Sequence, residues 1–265
     1  MMLKSMVGFA MFFALLPAFA QDFKKSYPIP PPADGTAKPG VPGAPVIPGI
    51  HMPGGGDIRI VIEHVSGNLK VSGYDGKTVE ITAKKKGPNR DKIEISDRSF
   101  GNRIDLFISS PVWGLRPSEI ECEVRVPKSE KFNFWLATSG DVTVSKVGGR
   151  IWAKSDRGNV DVREIEGLVS AFSGSGNVKV ELHSVEERSN MRFSSISGNV
   201  HVVVPRNFDA LVEISSRSGF LKSDFPIDIR EARYGPGRSG RGKLGDGRHV
   251  LFMRSEFGHV NLTRK

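Results

Sequence analysis

A six-residue phrase, Ser-Gly-Asn/Asp-Val-x-Val, constrains this chain more than anything else in it. The phrase stands at Ser139–Val144, Ser175–Val180 and Ser197–Val202, with looser copies at Ser66–Val71, Arg157–Val162, Ser218–Leu221 and Phe257–Leu262. Its glycines are Gly67, Gly140, Gly158, Gly176, Gly198, Gly219 and Gly258, and those from 140 to 219 lie 18, 18, 22 and 21 residues apart. Recurrence near twenty residues is the mark of one supersecondary unit used repeatedly.

Alignment on the glycine exposes the unit. Seven residues before it stand Ile151, Val169, Met191, Val212 and Leu251, and five before it Ala153, Ala171, Phe193, Ile214 and Met253. Three before it stands serine: Ser155, Ser173, Ser195, Ser216 and Ser255. Val or Leu returns two and four places after it, Ser223 excepted. Apolar residues two apart put alternate side chains on one face of a strand, so each unit reads as strand, Gly-centred bend, strand. The pattern predicts an all-β fold: a parallel β-helix or β-solenoid with Gly-turn repeats of about 18–22 residues, about ten coils in all. A partly antiparallel cap is expected over its N-terminal end. Glycine is expected for the positive φ of a tight bend, serine because little else fits beside it. Asn68, Asp141, Asn159, Asn177 and Asn199 should form a side-chain ladder along one corner.

The repeats occupy residues 57–265. Ahead of them, Lys4, the apolar run Met6–Leu16 and Ala18-Phe19-Ala20 make residues 1–20 a cleavable export signal. Residues 21–56 are a Pro/Gly-rich linker, extended and solvated, in which neither a helix nor a central strand is expected. The whole chain carries a net charge of +9 and a single cysteine, which excludes an internal disulfide framework. Cys122 alternates with Ile120, Val124 and Val126 and reads as a small core residue.

The Ser-Gly-Asn/Asp-Val-x-Val phrases behind an export signal resemble a bacterial family of β-strand-repeat proteins of unknown function, often labelled adhesins. The resemblance covers residues 57–265, and Gly245–Leu251 is similar to the approach to the family's last Gly turn. It implies an exported, non-enzymatic envelope or surface protein with an adhesin-like binding or scaffold role, and the export signal leaves the periplasm, the cell surface and the extracellular space open as its location. No catalytic residue carries over.

Little in the residues points to chemistry. No catalytic, cofactor-binding or metal site is expected, and no cofactor. Asp156 and Asp161 are the nearest approach to a carboxylate pair, and a polysaccharide lyase or hydrolase on a β-helix scaffold is the alternative they would serve. The histidines at 51, 64, 183, 201, 249 and 259 lack metal-ligand spacing and are expected on the surface. Two features remain. On the outward register lie Phe134, Leu136, Trp152, Phe172 and Phe252, able to stack on sugar rings or dock a partner. A basic loop holds Arg230, Arg233, Arg238, Arg241, Lys243 and Arg248 against Asp228, Glu231 and Asp246, and Lys84–Lys86 adds a second cluster. Candidate contacts are therefore Phe134, Trp152, Phe172, Arg233, Arg238 and Arg241. The partner classes left open are an anionic polysaccharide, a lipid surface or another envelope protein. Nucleic acid is not expected, because no base-reading module is present.

Overall fold

A computed structural model describes residues 22–29, 58–64, 66–109, 118–185 and 188–265. The expected export signal and most of the expected Pro/Gly-rich linker lie outside the described residues. Among those described, a single 3-10 turn at Arg90–Lys92 interrupts an otherwise all-β structure.

In chain order the strands begin with β1 (Phe23–Pro28), β2 (Ile58–His64), β3 (Leu69–Tyr74), β4 (Thr78–Lys86) and β5 (Glu94–Asp97). There follow β6 (Arg103–Ser109), β7 (Glu119–Pro127), β8 (Lys131–Thr138), β9 (Val142–Ser145) and β10 (Gly148–Ser155). Next are β11 (Val160–Ser173), β12 (Val178–Ser184), β13 (Asn190–Ser195), β14 (Val200–Val204) and β15 (Ala210–Ser216). The last are β16 (Leu221–Ser223), β17 (Asp228–Glu231), β18 (Arg238–Leu244), β19 (His249–Ser255) and β20 (Val260–Arg264).

All of these strands belong to one continuous sheet. The sheet folds over into a flattened, nearly closed barrel whose two walls share one apolar core. The front wall runs β6–β2–β8–β10–β11–β13–β19–β15, every pair parallel. The back wall runs β7–β3–β9–β11–β12–β14–β20–β16, again parallel. Strand β11 serves both, its first half in the back wall and its second in the front.

The expected parallel β-helix or β-solenoid is overturned by the order of these strands. In a solenoid each repeat stacks on its neighbours in sequence. Here β2–β3 lies between β6–β7 and β8–β9, and β19–β20 lies between β13–β14 and β15–β16. Antiparallel strands then close the exposed edges: β5 beside β6, β4 and β1 beside β7, and β18 and β17 beside β15. The back wall's other edge ends in β16, three residues long, and a short edge offers little to pair with. Apolar alternation sets which side chains point inward, and it carries no information about which unit stacks on which.

At the bends the units are held by a repeated polar contact. Ser155 donates its hydroxyl to the Gly140 carbonyl (2.7 Å) and accepts the Gly158 N–H (2.7 Å). Ser173, Ser195, Ser255 and Ser216 do the same, donating to the carbonyls of Gly158, Gly176, Gly198 and Gly258. Thr138 takes this place in β8, donating to the Gly67 carbonyl. All six hydroxyl residues are buried, and a buried N–H or C=O without a partner costs roughly 1–3 kcal/mol.

The bend glycines are needed for closeness rather than for positive φ. Among the seven only Gly67 has positive φ (106°). A Cβ on Gly176 would lie 2.2 Å from the Gly158 carbonyl oxygen, and one on Gly219 2.0 Å from that of Gly258. The predicted corner ladder is present and longer than expected. Backbone N–H groups of Asp141, Asn159, Asn177, Asn199 and His259 each donate to the side-chain oxygen one unit back, and Phe220 N–H donates to His259 Nδ1.

Strand β1 falls inside the expected linker, at an edge where the Pro28 that ends it does no harm. Tyr27 is buried there and donates to Asp97 (2.9 Å), which also pairs with Lys25 (2.6 Å). Burial pushes the Tyr27 hydroxyl above its ordinary value, and Asp97 adds to this. Burial would likewise raise the Asp97 carboxyl, but bonds from Lys25, Ser99 and Tyr27 outweigh it and hold it down at about 2.

Ser195→Ala should lower stability by about 2 kcal/mol, because it strips partners from the Gly198 N–H and the Gly176 carbonyl. Gly176→Ala should cost about 3 kcal/mol through backbone displacement. Ser194→Ala, one residue away on the outer face, should change it by less than about 0.5 kcal/mol. Urea denaturation of the three variants checks the ranking.

Candidate functional site

Every second residue of a front-wall strand faces outward, and the parallel register sets these residues in rows across the strands. The middle row reads Asp105, Val61, Trp135, Trp152, Ser170, Arg192, Phe252, Glu213 and Arg241. Trp135 and Trp152 are stacked, with ring centroids 3.7 Å apart and planes 13° from parallel. Trp135 Nε1–H donates to Glu63 (2.8 Å), which fixes the lower ring. The Arg192 guanidinium lies 5.2 Å from the Phe252 ring centre.

The three outward rows of this wall carry Arg59, Arg103, Arg150, Lys154, Arg192, Arg241, Lys243 and Arg254 against Glu63, Asp105 and Glu213. The corresponding strand positions of the back wall carry Lys70, Arg125, Arg163, Lys179 and Lys222 against Glu80, Glu123, Asp161 and Glu181. One wall is therefore positive, and the other is balanced.

Of the sequence candidates, Trp152 and Phe172 do lie half-buried on the outer face, as does Phe252. Phe134 and Leu136 do not: both are buried in the core, Phe134 at 1% exposure. Ile151 pairs with Phe134 and Trp152 with Trp135, so alignment on Gly140 misplaces β8 by one residue. The reason is a bend one residue shorter: Thr138 stands two before Gly140, where the other units have serine three before their glycine. Trp135 was hidden by that offset, and counting from Thr138 would have found it.

The basic loop is the β17–β18 hairpin, an ordered edge of the front wall. Arg238 is half-buried, bonded to Glu231 (3.1 Å) and the Gly219 carbonyl (3.3 Å), and sits 4.7 Å over the Phe220 ring. Arg241 bonds Glu213 across the strand pair (3.3 Å), and Arg233 is exposed beside Tyr234. Near the bend, Phe220 and Phe257 are 63% and 61% exposed, an outward pair the sequence had not marked.

The residues weighed for chemistry are dispersed. Asp156 pairs with Lys154 at a bend (2.9 Å), while Asp161 pairs with Arg163 on the back wall. Among the described residues no three His, Cys, Asp or Glu side chains gather as a metal site. Cys122 is buried, and burial pushes its thiol up to about 12. A shallow pocket of about 180 Å³ opens beside Tyr27, Ile58, Val79 and Ile104 at the β1 end.

His64 and His249 are buried, contrary to the surface placement expected of them. His64 stands in the serine column, three residues before Gly67. Its Nδ1 lies 3.1 Å from the Ser66 carbonyl, which can only accept, so Nδ1 carries the proton. Among the described residues Nε2 is buried without a partner, and burial lowers this imidazole to about 4 against a weaker opposing pull from Ser66.

A family description, Toastrack DUF4097, matches residues 59–263, more than three-quarters of the chain. The chain belongs to the Toastrack DUF4097 family. This Toastrack chain is similar to two solved structures, each at 12% identity. One is a candidate cell adhesion protein of Clostridium sporogenes ATCC 15579, with a TM-score of 0.43 over 79% of this chain and 93% of that one. The other is a candidate adhesin of Bacteroides fragilis NCTC 9343, with a TM-score of 0.38 over 91% and 97%. No curated protein matches the sequence.

A histidine neutral when folded and protonated when unfolded makes the unfolded chain bind more protons between its two values, about 6.5 and about 4. Stability should therefore be full above pH 6.5 and fall by on the order of 3 kcal/mol as the pH drops to 4. His64→Gln should flatten that slope, as read from urea midpoints across the window.

Proposed function

We propose that this protein is an exported, non-catalytic binding protein of the cell envelope, adhesin-like in action, which contacts an anionic polymer through its front wall. The observation that carries this reading is the charge contrast between two walls built from the same repeat. Strand pairing and core packing make equal demands on both outer faces, yet one holds a large surplus of Arg and Lys. A field of one sign attracts an oppositely charged surface over a Debye length, about 8 Å at physiological salt. The half-buried aromatic rings among those cations supply the short-range contact that charge alone lacks. The export signal at residues 1–20 supports placement beyond the cytoplasm.

The test is retention of the mature protein on immobilised anionic and neutral polysaccharides at low and high salt. Retention on the anionic polymer should fall as salt rises. Arg59→Glu with Arg254→Glu should weaken it, whereas Lys179→Glu on the back wall should not. Equal retention on neutral polymer, or equal loss from both variants, would remove the front wall from the account.

A further inference from the structure

One position on the front wall is built differently from the rest. The near-parallel Trp135–Trp152 stack sets both ring planes across the direction in which strands succeed one another. The second face of Trp152 is therefore turned to the next place in the row. That place is Ser170, paired with Trp152 across β10 and β11. The place beyond it belongs to Arg192, by the Ala171–Phe193 register. Two strand spacings, about 9.6 Å, separate Trp152 from Arg192, with only a hydroxymethyl group between. Leu168 and Phe172 rise on either side along β11.

We propose that the notch over Ser170 is a subsite for one carboxylate-bearing sugar ring of a polysaccharide, a hexuronate unit. The assignment rests on the front-wall reading above and names the unit that this wall would grip. The gap accommodates a single ring with a van der Waals contact on each side. The C–H face of a pyranose packs against an indole, while Arg192 meets the carboxylate and Ser170 a ring hydroxyl. Charge narrows the class. Of the eight outward positions around Ser170, Arg150, Lys154 and Arg192 are cationic and none is acidic. Lys154 itself pairs with Asp156 at the bend (2.9 Å). A neutral sugar would leave that arrangement unused.

The experiment titrates the full mature protein with a hexamer of galacturonate and with its methyl ester, following tryptophan fluorescence. The acid should bind and change the emission, and the ester should bind about tenfold more weakly. Trp152→Ala and Ser170→Phe should each weaken acid binding by about tenfold or more, with melting curves confirming that the variants are folded. Ser215→Phe, on the same wall but away from the notch, should bind like the parent. If the parent is retained on anionic polymer in a salt-dependent way while Ser170→Phe and Trp152→Ala bind the hexamer normally, the subsite is wrong and the front-wall reading stands. Equal binding of acid and ester also sinks the subsite. If the parent binds no polyanion, or binds only anionic lipid vesicles, both assignments fall.

Discussion

The whole molecule depends on how closely neighbouring units can stack at their bends. A buried hydroxyl tied at once to its own glycine's N–H and to the adjacent glycine's C=O fixes that separation. The contact is short enough that no side chain can stand where the glycines stand. Serine and glycine are thus two halves of one device. The glycine opens the space, and the serine satisfies the polar groups that the space brings out of water. The aliphatic rows on either side then meet at a constant spacing, and the outward rows come into register for the same reason.

Much of this was legible in the chain itself. The aliphatic alternation before and after each glycine marked the inward rows, and the serine column and the Asn/Asp ladder were visible as repeats. What alignment could not supply was the order of stacking. Ala210–Ser216 and His249–Ser255 look alike as sequence, and each fits beside β13 equally well by pattern. Their places are decided by tertiary packing at the end of the sheet. The misassignment of Phe134 has a smaller cause, since a single missing residue in one bend reverses the facing of an entire strand. The long-range anchor from Lys25 and Tyr27 to Asp97 had no local signature at all.

The two outer faces show what a repeat leaves free. Its demands fall on inward residues and on the bends, so the remaining positions can drift apart in charge and size without cost to the fold. The back wall became a lattice of pairs in which Lys70 meets Glu123 and Arg125 meets Glu80. The front wall gathered its tryptophans and arginines instead, with a serine set among them.

The place of β19–β20 has a bearing on how the chain reaches its native state. These strands are late in the chain yet interior to the stack, so β13–β14 and β15–β16 share no strand pairing through which to join beforehand. Assembly cannot be completed from one terminus in the order in which the segments are made. The β15–β16 unit must wait, its flank uncovered, until later residues arrive to wedge in beside it. Such distant pairings form slowly, and the interval is one in which a chaperone would find something to hold.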